Sequence, residues 1–136
     1  MNGTPPFFAC LYSRQILLSL LLVLSVTACS SDRDEIKKGE VLFSKTHIGK
    51  NKVIGCIACH STTPNQVIIG PSLAGISERA QHQVPGQSAE EFIKNSIVSP
   101  DAYIASGYMP ATMYSHYSNE LANEEIEALV AYLLTL

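Results

Sequence analysis

Charge is scarce in this sequence: Asp, Glu, Lys and Arg make up 15% of 136 residues, and nine basic against twelve acidic side chains leave a formal net charge of -3. No basic cluster is longer than Lys37-Lys38, so the electrostatic footprint of a nucleic-acid-binding protein is missing. Long apolar runs are lacking as well. The most continuous one, Ile16 to Val26, falls short of the roughly 20 residues that span a bilayer. There is no internal repeat, no low-complexity tract and no convincing apolar-polar alternation of a half-buried strand. Of the cysteines at 10, 29, 56 and 59, only the last two form a close pair, which leaves a four-ligand zinc site without its second pair. The length suits one compact domain.

What is present at the N-terminus reads as an address. Arg14 precedes the apolar run, and small residues follow it, which is the order of a secretory signal peptide. The run ends in Val26-Thr27-Ala28-Cys29, which resembles the lipobox of bacterial lipoproteins. The resemblance implies a signal peptide over residues 1–28, cleavage before Cys29, and lipid on that cysteine. An ordinary signal-peptidase cut after Ala28 and an uncleaved anchor are the competing readings. Lipoprotein cysteines bear two or three acyl chains, enough for lasting attachment, so residues 29–33 become a short membrane tether and residues 34–136 the domain. Export leaves Cys56 and Cys59 in an oxidising compartment, where idle thiols are a liability.

The region after the leader is a succession of helical patterns. A first helix is expected from Asp32 or Asp34, either able to cap it, to about Ser44, with Gly39 and Phe43 on one face. Ser88 and Glu91 form a capping box that opens a helix whose Phe92, Ile93 and Ile97 turn inward before Pro100 stops it. The last helix, about Asn123 to Leu134, sets Ile126, Leu129, Val130, Leu133 and Leu134 on one amphipathic face. Fold class is therefore all-α. Between these helices lie long irregular stretches, 70–75, 84–86 and 99–117, which a domain this small does not ordinarily tolerate. Something other than protein is expected to fill the middle.

Cys56-Ile57-Ala58-Cys59-His60 is the C-x-x-C-H signature of covalent c-type haem attachment. Two residues between the cysteines put both sulfurs within reach of two vinyl groups on one porphyrin edge, and the adjacent His60 then stands beneath the iron. Zinc, which finds no second Cys pair here, a redox-active dithiol, which would expect a βαβ context, and a plain disulfide are the competing readings of the same cysteines.

With these residues in view, the chain resembles the class I monohaem cytochromes c. Gly39 to Phe43 looks like the family's first helix, with Leu129 and Tyr132 as its partners in the last. Gly70-Pro71-Ser72-Leu73 resembles the segment whose proline carbonyl, here of Pro71, bonds the proximal histidine, His60. Residues 88–104 and 129–134 resemble more closely the cytochrome c domain fused to subunit II of haem-copper oxidases. The family usually caps the last helix with Ser or Thr; Ala122 stands there, so Asn123 or Asn119 is expected to cap instead.

The resemblance implies a cytochrome c fold wrapped around one covalent haem c, bound through Cys56 and Cys59, with iron on His60. The sixth ligand is expected to be Met113, with Met109 as the alternative. The Met109-Pro110 dipeptide speaks for 109, whereas spacing from Gly107-Tyr108 to the last helix speaks for 113. His47, His82 and His116 are the remaining candidates and read as surface histidines. A haem with both axial positions filled carries electrons rather than transforming a substrate, so no enzyme activity is expected; a haem enzyme or small-gas-binding protein with a displaceable sixth ligand is the alternative. The expected partners are membrane-bound redox complexes, such as a terminal oxidase or a quinol-oxidising complex, on the periplasmic face of a bacterial membrane.

Overall fold

A computed structural model describes residues 28–136, with side chains from Ser31 onward. The signal peptide expected over residues 1–28 and the Cys29 side chain lie outside what is described. The chain divides into two units, and the second, Asp34–Leu136, carries the fold.

Helix α1 covers Ala28–Phe43. Asp32 and Asp34 therefore lie inside it and do not cap it, because nothing between Ala28 and Asp34 breaks a helix. A two-residue hairpin follows, β1 (His47–Ile48) against β2 (Val53–Ile54), pairing His47 with Ile54 and Ile48 with Val53. Strands this short carry no alternation, so the sequence pattern could not reveal them. The chain then makes a 3-10 turn at Cys56–Ala58, the short helix α2 (Ile76–Ala80), helix α3 (Ala89–Val98), a second 3-10 turn at Pro100–Ala102, a single helical turn α4 (Tyr117–Glu120), and the last helix α5 (Asn123–Leu133).

The expected start of α3 is present in full: Ser88 Oγ accepts from the Glu91 N–H at 3.1 Å, and the Glu91 carboxylate accepts from the Ser88 N–H at 2.9 Å. Helix α5 differs from expectation. Its N-cap position is Ala122, not Asn123 or Asn119, and alanine offers no acceptor. Half of the box survives because Glu125 accepts from the Ala122 N–H at 2.9 Å, which satisfies one of the orphan donors at that end. Phe92, Ile93 and Ile97 of α3 and Ile126, Leu129, Val130 and Leu133 of α5 are buried together with Leu42 and Phe43 of α1, while Leu134 is half-buried. Among the described residues α3 is the hub, in contact with α2, α4 and α5.

Helices α1 and α5 cross at Gly39. A Cβ there would stand 1.8 Å from the Ala128 carbonyl oxygen and 2.8 Å from the Tyr132 Cβ, so only glycine fits. One turn on, Phe43 and Tyr132 pack ring to ring at 5.5 Å. This crossing fixes where α5 sits, and hence how far the segment before it can reach toward the middle of the fold.

Candidate functional site

A cavity of about 620 Å³ opens in the middle of this arrangement, a size typical of cofactor pockets. The walls are largely apolar, with Phe43, Phe92, Ile93, Ile97, Tyr103 and Leu133 among them, and Cys56, Cys59, His60, Met109 and Met113 all face it. The topology thus brings together every residue singled out by the motif and both methionines. It excludes His47, His82 and His116, which are exposed and line no part of this cavity.

Cys56, Cys59 and His60 reach it because the backbone closes on itself. The Cys56 carbonyl accepts from the Cys59 N–H at 3.1 Å and from the His60 N–H at 2.9 Å, and this one tight turn presents both sulfurs and the imidazole to the same space. The Cys59 carbonyl in turn accepts from the Ile69 and Gly70 N–H groups at 3.2 and 2.8 Å, drawing the 69–73 loop against the motif.

That loop orients the ring. His60 Nδ1 lies 2.9 Å from the Pro71 carbonyl oxygen, and since a carbonyl only accepts, Nδ1 carries the proton and Nε2 keeps its lone pair. The ring rests on Gly70, where a Cβ would stand 2.5 Å from His60 Cε1. Burial holds His60 below the usual imidazole range, with the Pro71 carbonyl pulling the other way, so the ring is neutral and ready to donate electrons to a metal. Burial likewise pushes the Cys56 thiol up to about 11. A nucleophilic redox thiol needs the opposite shift, which leaves Cys56, a free thiol, poorly suited to attack a disulfide.

Met113 and Met109 differ in setting. Met113 is half-buried and packs on the core cluster, whereas Met109 is 75% exposed. The Met113 segment is pinned by Tyr117, whose hydroxyl donates to the Ile54 carbonyl at 2.8 Å and whose ring meets Tyr114 edge-on at 5.0 Å. Burial raises the Tyr117 phenol well above its ordinary value, so it stays a neutral donor.

Two charged side chains on the cavity wall escaped the sequence reading. Arg79 of α2 donates to the Ser72 carbonyl at 2.9 Å and to the Ala74 carbonyl, clamping the far end of the loop that holds His60. Asp101 accepts from the Ala111 N–H at 2.9 Å, where the backbone takes a positive φ of 58°. Neither has a spacing signature, because each bonds a carbonyl or amide set by the fold.

Among the described residues no three His, Cys, Asp or Glu side chains converge on a metal position. A metal here must bring most of its ligands with it, as haem iron does. The residues fit that group: an apolar slot, two thiols on one turn, one neutral imidazole with a free Nε2, and a thioether in the same cavity. A family model described as Cytochrome c matches residues 36–136. No curated protein and no solved structure matches the chain.

Proposed function

Because the chain belongs to the cytochrome c family, and so binds one covalent haem c and takes part in electron transfer, we propose that it is a lipid-anchored carrier of single electrons between respiratory-chain partners. When bound, haem c supplies a one-electron ferric-ferrous couple. Every other role falls to side chains of this chain. Cys56 and Cys59 hold the group through thioethers, His60 offers Nε2 to the iron, and the Pro71 carbonyl keeps that nitrogen unprotonated by fixing the proton on Nδ1. Met113, which lines the same cavity, would hold the iron through its thioether. Its seat on the core keeps it in place through the redox cycle, and a thioether ligand raises the potential. Met109, three-quarters exposed, is the weaker candidate.

The observation that carries this reading is the 2.9 Å contact from His60 to Pro71 in a cavity that Met113 also lines. With His60 and Met113 both donating to the iron, no position would be left for a substrate or gas, and the chain would act as a carrier and not as an enzyme. The reduced protein should therefore give the same visible spectrum with and without carbon monoxide. A shift on adding the gas would favour the gas-binding or enzymatic alternative.

The membrane-bound partners, a terminal oxidase or a quinol-oxidising complex, follow from two features. One is the resemblance of residues 88–104 and 129–134 to oxidase-fused domains. The other is the lipobox at Cys29. Only residues 30–33 separate Cys29 from the unit that begins at Asp34, and even fully extended such a stretch spans on the order of 15 Å. Among the described residues no helix is long and apolar enough to cross a membrane. Lipid on Cys29 would anchor the chain at the periplasmic face.

A further inference from the structure

We propose that Asp101 is a positioning residue for the second axial ligand: its carboxylate keeps Met113, and not Met109, seated as the donor to iron. The proposal deepens the electron-carrier reading above and rests on it.

Met109 and Met113 face the same cavity, so something in the fold has to choose between two identical thioethers. Ala111 stands midway, two residues from each, and its φ of 58° is left-handed, a conformation that a non-glycine residue rarely takes. Such strain lasts only where surrounding contacts impose it. Here the contact is the 2.9 Å bond from the Ala111 N–H to Asp101. Gly107, at φ 86°, is the other left-handed residue of the segment and needs no such help, because glycine takes either sign of φ freely.

The segment holds on to little else. The Tyr108 N–H donates to the Ala105 carbonyl at 3.1 Å and Thr112 Oγ1 to the Met109 carbonyl at 2.8 Å, both within the segment itself. Among the described residues, the bond to Asp101 is the one hydrogen bond by which residues 104–115 reach beyond themselves. Asp101 is firmly placed in its turn. Buried Pro100 opens the 3-10 turn after α3, the Ala102 N–H donates to the Ser99 carbonyl at 2.9 Å, and the Tyr103 ring meets Phe92 of α3 edge-on at 5.1 Å. The carboxylate thus ties the methionine segment to the hub helix of the fold. Without it, the backbone at Ala111 is free to leave the left-handed region, and the turn that separates the two methionines opens.

Imidazole binding to the ferric, haem-loaded protein tests this. Imidazole takes the iron only while the methionine is off it, so its apparent affinity scales with how often the segment lets go. Asp101 is exposed, and its replacement leaves the core intact. Asp101→Ala should bind imidazole at least about fivefold more tightly than wild type, by analogy with removing a side-chain acceptor from a helix cap. Asp101→Asn, which keeps an acceptor oxygen, should stay within about twofold. Met113→Leu should lack the ferric iron-sulfur charge-transfer band, and adding Asp101→Ala should bring the band back through Met109, so that Met109→Leu removes it again. An Asp101→Ala affinity within about twofold of wild type overturns the proposal. So does an Asp101→Asn affinity equal to that of Asp101→Ala, or a protein carrying both Met113→Leu and Asp101→Ala that stays without the band. Failure of the electron-carrier reading shows separately, as carbon monoxide binding to the ferrous wild type.

Discussion

Gly39 of α1 lies directly against the Ala128 carbonyl of α5, so close that a Cβ would stand 1.8 Å from the oxygen. The obstacle is backbone in the middle of a helix, which cannot swing aside as a side chain can. Gly39→Ala should therefore push the helices apart and cost about 3 kcal/mol, at the upper end of ordinary overpacking. Chemical denaturation of the haem-loaded protein checks this; a loss below about 1 kcal/mol would mean the crossing is looser than the contact implies.

Met113 and Met109 can be separated by substitution. Met113→Leu should abolish the ferric iron-sulfur charge-transfer band and lower the midpoint potential, while Met109→Leu should leave both close to wild type. The reverse pattern would transfer the ligand role to the exposed methionine.

Glu120 gives a pH dependence of known sign. Its carboxylate accepts from the Asn51 N–H at 3.0 Å and from the Asn51 side-chain amide at 2.9 Å, and these bonds hold it below the usual carboxylate range. A depressed acid contributes its link above the unfolded value and loses it as pH falls through the folded one. The Asn51 amide resonances should thus hold steady as pH falls from neutral and titrate only below the midpoint of an unperturbed glutamate. A midpoint at or above that of an unperturbed glutamate would contradict the assignment.

Cys29→Ala, exported through what remains of the signal, should move the protein from the membrane to the soluble fraction after a salt wash. Continued sedimentation with membranes would point to an uncleaved anchor.

Much of this fold was legible because the decisive signals are local. Ser88 and Glu91 three residues apart define a helix start whatever surrounds them, the spacing of Ile126, Leu129, Val130 and Leu133 defines a buried face, and Cys56, Cys59 and His60 are adjacent enough for one turn to unite them. The rest depends on partners distant in sequence. Nothing near Arg79 announces that it clamps the carbonyls of Ser72 and Ala74, nor does Tyr117 advertise its bond to Ile54. The cap of α5 escaped for a related reason. Ala122 has no polar atom, and the Glu125 carboxylate does half the work alone.

The central claim is that the cavity holds one haem fixed through Cys56 and Cys59, and the intact mass of the protein after acid-acetone extraction tests it most directly. The account predicts the polypeptide mass plus a single haem, mapped by proteolysis to the peptide containing residues 56–60, and a mostly haem-free chain for Cys56→Ala or Cys59→Ala. Haem lost completely on extraction, or two haems retained, would contradict it.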